Sequence, residues 1–326
     1  MAILTSTSLS WLQKLALLWL GLVLLAAALA PVLPLPYLPD MPDLAHIAQA
    51  PFGSGRHWLG TDPQGRDVLS VLVFGARSAV LLTLPAAVLA AMVGAVAGGA
   101  AGYWGNRILL TVPSWLLVAG GGWWALRLPM PLLGLAVAAV GGGVALAARL
   151  RHRPQPAWPV PITALVMGAA ATLDTVPRLV LVVAMAAGTS MSQLSLLALF
   201  ALTSWPHPAR LVRAQMLRVR TLPFIEAAQA AGIPTGRIWL RHALPHALQP
   251  LRTAFPLSIA GLLGLESTLS FLGIGLPPDV ASWGRLLAAA RDETAAWWVF
   301  LFPSLCLVFT ILSLSNLARQ HRRTIA

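Results

Sequence analysis

Few residues of this chain have the type and spacing needed for catalysis or metal binding. His242 and His246 lie four residues apart, as two zinc ligands on one helix would, but Ala243 stands where the H-E-x-x-H motif has its glutamate. Asp174 and Arg178 have the same spacing, which predicts an ion pair on one helix face. We therefore predict no catalytic residue and no metal site.

The chain has one lysine and one cysteine, and these counts exclude a phosphate-binding loop and an internal disulfide. A phosphate-binding loop, G-x-x-x-x-G-K-[ST], needs a lysine, and the only lysine is Lys14, beside an apolar run. The single cysteine, Cys306, rules out an internal disulfide and a cysteine-based zinc cluster. We expect no cofactor in this chain.

The composition indicates what kind of elements must position these residues. Of 326 residues, 58% are hydrophobic and only 10% are charged, against about 25% charged residues in an ordinary soluble domain. So few charges cannot cover a soluble enzyme, and the hydrophobicity is too high for a disordered chain. The net charge of +12 comes with too little polar surface for a nucleic-acid-binding face. We expect membrane lipids, and no nucleic acid, as partners.

Apolar runs of about 20 residues, enough to cross a bilayer, recur along the chain. They predict an all-α, polytopic membrane protein with about eight transmembrane helices. The predicted spans are residues 15–33, 79–102, 108–126, 128–148, 161–187, 192–214, 251–271 and 294–317. Ala28-Leu29-Ala30 resembles a signal-peptide cleavage site, but the spans that follow favour an uncleaved anchor.

The distribution of lysine and arginine predicts the orientation, because cytoplasmic loops carry the excess of these residues. With a cytoplasmic N-terminus, fifteen Lys and Arg residues lie inside and six outside. The six outside are Arg56, Arg66, Arg77, Arg127, Arg285 and Arg291. An even number of spans returns the basic tail to the cytoplasm, so we predict an N-in, C-in topology.

Two segments outside the spans have recognisable turn and helix signals. At residues 62–65 the order Asp-Pro-x-Gly fits a type I turn, beside which Arg66 and Asp67 would pair; a plain surface turn explains the same residues. Residues 213–250 hold several arginines and predict two short helices. Pro223 suits the first turn of one and Gly232 its left-handed end, while Thr235 would N-cap the second, 236–248.

The alanine-rich face of the first short helix predicts a docking site for a partner, and an amphipathic helix on the membrane surface is the alternative. Its sequence, Glu226-Ala227-Ala228 with Gly232 and then Leu244-Pro245, resembles the EAA loop of ABC-importer permeases, with His242 in place of the usual isoleucine. Three other stretches resemble the same family: 58–78, 210–215 and 266–284. Together they resemble the C-type permease subunit of dipeptide, oligopeptide and nickel importers, a binding-protein-dependent transport system inner membrane component, over about 57–106 and 174–317.

This resemblance implies a type I ABC-importer permease fold and three groups of site residues. The ATPase-coupling group is Glu226, Ala227, Ala228, Gly232, Leu244 and Pro245. The periplasmic group is Gly60, Thr61, Asp62, Gly65, Arg66 and Asp67. The outer-mouth group is Glu266, Ser270, Phe271, Gly273, Trp283 and Gly284.

The resemblance also implies partners and a role. The partners are a second, B-type permease subunit, one or two cytoplasmic ABC ATPase subunits that bind ATP and Mg²⁺, and a periplasmic or lipid-anchored substrate-binding protein. The chain would form half of a translocation path for peptides, nickel or other small solutes across the bacterial inner membrane. Two alternative classes are a membrane-embedded enzyme, such as an intramembrane hydrolase or lipid transferase, and a non-transport scaffold or sensor.

The family's C-type subunit usually has six spans, so residues 107–173 are interpreted as an insert that adds two. The resulting division is an N-terminal anchor span at 1–40, a periplasmic loop at 41–77, a first core span at 78–106, the insert with its basic cytoplasmic loop at 107–173, the permease core at 174–317 with the coupling loop at 213–250, and a basic tail at 318–326.

Overall fold

The computed structural model describes residues 10–53, 57–106, 108–110, 158–186 and 192–323. The described part of the chain is almost entirely helical. The helices are Trp11–Leu29 (α1), Val68–Tyr103 (α2), Ile162–Thr175 (α3), Arg178–Ala186 (α4), Gln193–Ser204 (α5), Pro206–Val219 (α6), Pro223–Ala230 (α7), Thr235–Ile238 (α8), Leu244–Ala247 (α9), Leu251–Phe271 (α10), Trp283–Ala289 (α11) and Trp297–Arg323 (α12), with a π-helical turn at Trp239–Ala243 between α8 and α9. This confirms the predicted all-helical class.

Four helices in the described residues are long and apolar enough to cross a membrane: α1, α2, α10 and the Trp297–Arg319 part of α12. The predicted span 161–187 is instead the pair α3 and α4, bent by 77°. Pro177 lies between them, and a proline has no backbone N–H and clashes with the preceding turn, so the helix breaks there. The predicted span 192–214 is two helices divided at Trp205, before Pro206, and α6 continues to Val219.

Of the predicted insert, residues 107–173, the structure describes only the two ends. Residues 111–157, which hold most of both predicted inserted spans, lie outside the described residues. Ile108–Leu110 (β1) pairs in an antiparallel ladder with Trp158–Val160 (β2), so the prediction of a helix from residue 108 is wrong at its start. Short apolar runs do not distinguish a strand from a helix. The chain divides into two compact units, residues 1–103 with 166–326 and residues 104–165.

The first unit is organised along α2, which has small residues on the face that meets α6. A Cβ atom added to Gly98 would lie 2.1 Å from the carbonyl oxygen of Ala209, and one added to Gly102 would lie 2.7 Å from the Cβ of Met216. Gly94 is the third residue of this spacing, four before Gly98. Small residues four apart allow helix backbones to approach closely in a membrane, so this face places α6 directly against α2.

The two ends of α2 belong to different buried clusters. At its start, Val68 and Val71 pack with Trp283 and Trp298. At its end, Ala95 packs in a cluster with residues of α6 and of the segment 223–247. From Gly75, against Trp283, to Gly99, against Leu244, the helix rises roughly 36 Å at about 1.5 Å per residue. That exceeds the roughly 30 Å hydrocarbon core, so α2 is long enough to separate the two clusters by a bilayer.

Candidate functional site

Helix α7 carries the Glu-Ala-Ala sequence and is held by one buried side chain. The helix has Pro223 in its first turn, as predicted, and Glu226 as an acidic residue near its start, where the helix dipole favours it. Ile225 has no exposed surface and packs in the cluster with Met216 and Val219 of α6. The helix therefore has one face fixed to the bundle.

The end of α7 is a Schellman motif. Gly232 has a φ of +75°, its N–H donates to the carbonyl of Gln229 at 3.0 Å, and the N–H of Ile233 donates to that of Ala228 at 3.2 Å. This confirms the predicted left-handed end. A Cβ on Gly232 would meet nothing within 4 Å among the described residues, so the backbone conformation, and not crowding by those residues, requires the glycine.

The second half of the segment differs in detail from its prediction. The helix starts at Thr235 with Pro234 as its N-cap residue and no side-chain cap, so the predicted Thr235 N-cap is wrong. A π-helical turn, in which the N–H of Leu244 donates to the carbonyl of Trp239, precedes Pro245. Pro245 has no N–H to continue the α-helical hydrogen-bond ladder, and the chain forms the wider π-helical turn just before it.

The coupling segment, residues 223–247, is anchored through several small contacts. Ile238, Ala243 and Ala247 have no exposed surface. They share the cluster of Ile225 and α6. The guanidinium of Arg220 donates to the carbonyl of Gly102 at 3.2 Å, which ties the preceding turn to the end of α2. Motion of the segment is thereby linked to α2 and α6.

The other face of this segment is open. Glu226, Ala227, Gly232 and Pro245 are exposed, and Ala228 and Leu244 are half-buried. The side chain of Glu226 forms no ion pair or hydrogen bond with the described residues. The six predicted coupling residues therefore lie in one short segment, with the acid free on its surface.

The predicted periplasmic group forms a folded turn at the opposite end of α2. The Asp62–Gly65 turn is present, with the N–H of Gly65 donating to the carbonyl of Asp62 at 2.9 Å. One carboxylate oxygen of Asp62 accepts from the backbone N–H of Gln64 at 2.9 Å and of Arg66 at 2.8 Å. The indole N–H of Trp298 donates to the carbonyl of Thr61 at 3.0 Å, so the turn is fixed to α12.

The predicted pairing of Arg66 with Asp67 is wrong. The Nε of Arg66 donates to Asp62 at 2.7 Å. Asp67 binds the buried His57, with 2.9 Å between His57 Nδ1 and Asp67 Oδ1, and its other oxygen accepts from the N–H of Ser70 at 2.8 Å. Adjacent residues point to different sides of the chain, so the two partners could not be read from their proximity in sequence.

Glycines in this turn allow close contacts. Gly60 has a φ of +79°, and a Cβ there would lie 2.4 Å from the carbonyl oxygen of Gln49. Gly65 has a φ of +78° and packs on the backbone of Asp43, whose carbonyl oxygen would be 2.6 Å from an added Cβ. A hydrogen bond from His46 lowers the pKa of Asp43, since it stabilises the carboxylate. This turn therefore also positions Asp43.

The outer-mouth group centres on Glu266, which is buried in α10. Its carboxylate accepts hydrogen bonds from the hydroxyls of Ser270 and Ser282, both at 2.8 Å, and of Ser267 at 3.3 Å. The Ser282 hydroxyl also accepts from the N–H of Gly284 at 3.1 Å and caps α11. Glu266 thus fastens the loop after α10 to that helix.

The remaining outer-mouth residues also hold the segment after α10 against its neighbouring helices. The indole N–H of Trp283 donates to the carbonyl of Leu72 at 2.9 Å. Gly284 meets the backbone of α10, where a Cβ would lie 2.2 Å from the carbonyl oxygen of Ser267. Gly273, with a φ of +77°, ends α10, and Arg291 lies over the ring of Phe271 at 4.4 Å.

Arg285 closes the loop between α10 and α11. Its guanidinium donates to carbonyls of that loop, including Leu276 at 2.7 Å and Pro277 at 2.9 Å. Burial lowers the pKa of Arg285, and the nearby positive charge of Arg66 acts in the same direction.

The predicted ion pair between Asp174 and Arg178 is wrong. Asp174 pairs instead with Arg210 of α6. Pro177 separates Asp174 and Arg178, so the regular helix that the i, i+4 argument requires is interrupted between them.

Sequence reasoning missed His57 and the glycines of α2. His57 contacts residues of the same outer loop, such as Asp43 and Asp67, at separations that no helix or turn pattern indicates. The glycines did have a signal, because Gly94, Gly98 and Gly102 recur every four residues in an apolar run, which is the spacing of close helix pairs.

Four apolar helices of spanning length in the described residues define a multi-pass membrane protein. Residues 73–325 match the family described as binding-protein-dependent transport system inner membrane component, and the chain belongs to that family. It is therefore a permease subunit of an ABC importer and not an enzyme. Such a subunit works with a partner permease, an ATPase and a substrate-binding protein.

Individual relatives agree with this assignment. One named as a peptide permease protein of Brucella suis biovar 1 is 30% identical over 302 residues, covering 90% of this chain and 82% of the relative. Another, named as a peptide transport system permease protein of the same organism, is 30% identical over 307 residues, covering 93% of this chain and 83% of the relative. A chain of the inward-facing MetNI methionine ABC transporter has a TM-score of 0.42 at 17% identity over 66% of this chain and 93% of that chain, a likeness too weak to assign a conformation.

Proposed function

We propose that this permease binds its ATPase through the open face of α7 and transmits ATP-driven motion to the spans. The observation that carries the proposal is the two-sided character of α7. Ile225 fixes one face to α6, while Glu226 and Ala227 stand exposed on the other. The exposed acid and the small side chains beside it leave this face open to a partner.

The mechanism follows from these contacts. Glu226 pairs with a basic group on the ATPase, and the small side chains of Ala227 and Ala228 with the open space at Gly232 allow close approach. When the ATPase subunits close on ATP and Mg²⁺, they pull the coupling segment. Because Ile225 and Arg220 connect this segment to α6 and α2, the spans rock between inward-open and outward-open states. The Glu266 contacts keep the outer end together during that movement.

We further propose peptides as the substrate class, since both Brucella relatives are named as permeases for peptides. The partners would be a B-type permease subunit, one or two cytoplasmic ATPase subunits and a periplasmic or lipid-anchored binding protein. The subunit would lie in the bacterial inner membrane with both termini in the cytoplasm. The excess of basic residues in the predicted inner loops supports this orientation.

The decisive experiment replaces Glu226 by lysine in the assembled transporter, reconstituted in liposomes with its binding protein. Glu226→Lys should abolish substrate-stimulated ATP hydrolysis and the copurification of the ATPase, because it turns an attractive contact repulsive. Glu293→Lys is the matched control, since it makes the same chemical change at an exposed site beside the start of α12. Normal stimulated hydrolysis in Glu226→Lys would refute docking through this helix.

A further inference from the structure

Three potential metal ligands meet in the outer loop. Asp43, His46 and His57 each present one ligand atom, and these atoms lie within 4.8 Å of one another. The Nδ1 of His46 lies 2.9 Å from Oδ2 of Asp43, and the Nε2 of His57 lies 3.5 Å from the same oxygen. All three atoms therefore converge on one point.

The partner of His57 determines which of its nitrogens faces this point. His57 Nδ1 lies 2.9 Å from Oδ1 of Asp67. With the ring proton on Nδ1, that N–H donates to the carboxylate and Nε2 presents its lone pair. A carboxylate on the far nitrogen is the usual arrangement around a metal-binding histidine, because it fixes the tautomer and strengthens the ligand.

The Nε2 atom of His57 is buried and makes no hydrogen bond within the part of the chain that the structure describes. The side chain has no exposed surface, and the ring of Tyr37 stacks on it with 4.2 Å between centroids. A buried polar atom without a partner costs free energy. The atom faces a carboxylate oxygen, which is itself an acceptor, so a proton on Nε2 or a metal ion bound between the two atoms satisfies both. The Nδ1 of His46 beside the same oxygen supplies a third ligand for the metal.

The carboxylate of Asp43 is held ready for this role. Its Oδ1 accepts from the N–H of Ala45 at 3.0 Å, and the N–H of Asp43 donates to the carbonyl of Gly65 at 2.8 Å. Oδ2 is thereby directed at the two histidines. Two ligands of a tetrahedral zinc ion, each at about 2.0–2.1 Å, lie roughly 3.4 Å apart, and the 2.9 and 3.5 Å separations bracket that value.

We propose that Asp43, His46 and His57 bind a divalent transition-metal ion of the Zn²⁺ type, with a fourth position open to water. Imidazole nitrogens and one carboxylate oxygen are ligands that suit zinc. The ion would connect the turn at residues 43–46 with His57 and, through Asp67, with the start of α2. It would thus fasten the outer loop to the spans, whichever substrate the permease carries.

The test measures Zn²⁺ affinity of the assembled transporter, purified with a tag that contains no histidine and stripped with a chelator. Zn²⁺ is titrated in competition with a chromophoric chelator. His46→Ala removes a half-exposed ligand, so the fold should tolerate it, and His242→Ala is the control, an exposed histidine in the coupling segment. Thermal unfolding of each variant without metal verifies that it is folded.

We expect a Zn²⁺ site that His242→Ala leaves unchanged. Asp67→Asn should weaken it roughly 10- to 100-fold by disturbing the orientation of His57, and His46→Ala and Asp43→Asn should weaken it further. Equal Zn²⁺ affinity in wild type and His46→Ala would overturn the proposal. A wild-type protein that fails to compete with the chromophoric chelator, and so binds Zn²⁺ only weakly and nonspecifically, would also overturn it. Neither result would bear on Glu226, since ATPase docking is measured separately.

Discussion

Replacing Ile225 by alanine separates the anchoring of α7 from its contact with a partner. Ile225 has no exposed surface and lies in the cluster formed with Met216 and Val219. Truncating a fully buried isoleucine to alanine costs about 2–5 kcal/mol, through lost burial and the cavity left behind. Isolated helices shorter than about 12–15 residues are marginal in water, so α7, with 8 residues, depends on this anchor.

The expected result is a coupling helix that detaches while the bundle stays folded. A loss of about 3 kcal/mol corresponds to an increase of roughly 100-fold in the detached population. Hydrogen exchange of the α7 amides, measured on the chain without its ATPase, should accelerate by a similar factor. In the assembled transporter, hydrolysis should continue with less substrate moved per ATP.

The control for this measurement is Leu222→Ala. Leu222 is 41% exposed and adjoins the same helix, and surface substitutions usually change stability by no more than roughly 0.5 kcal/mol. Unchanged exchange rates in Ile225→Ala, or equal acceleration in both variants, would refute the idea that this side chain anchors the helix.

Three further predictions concern single positions. Gly98→Ala should destabilise the bundle by about 1–3 kcal/mol in detergent unfolding, because its Cβ meets the backbone of Ala209; a wild-type midpoint would contradict this packing. Gly232→Ala should cost about 1–2 kcal/mol from its positive φ alone. Since no atom of the part of the chain that the structure describes lies within 4 Å of that Cβ, a transport defect without a larger stability loss indicates contact with the ATPase. Glu266→Ala should cost about 1–3 kcal/mol, because it leaves the buried hydroxyls of Ser270 and Ser282 without the oxygen that accepts from both; unchanged unfolding would show that those hydroxyls find other acceptors.

Local signals were reliable where the physics is local. Pro223 and Gly232 predicted the limits of α7 because proline lacks an N–H and glycine tolerates positive φ, whatever the surroundings. The Asp62–Gly65 turn was predicted for the same reason. Thr235 failed as an N-cap because Pro234 already occupies that position, which the capping preference of threonine alone does not reveal.

Charge partners could not be predicted from spacing. Asp174 pairs with Arg210 of another helix, because a proline breaks the helix that the local pairing needed. Asp67 pairs with His57 of the same loop, at a separation that no regular spacing indicates. The metal ligands show the same limit. Asp43, His46 and His57 have no spacing typical of a zinc motif, and only the turn at Gly65 brings them to one point.

The sequence by itself determined that this chain lies in a membrane, because that follows from its hydrophobicity. It also predicted that the chain has no phosphate-binding loop, because its one lysine is Lys14, and which short segment faces a partner, because that motif consists of residues close together in the sequence. Only the tertiary structure decided which side of α7 is anchored, how α2 connects that segment with the outer loop, and where Glu266 and His57 find their contacts. Those outcomes depend on distances between residues far apart in the chain, which the packing of helices sets and residue order does not.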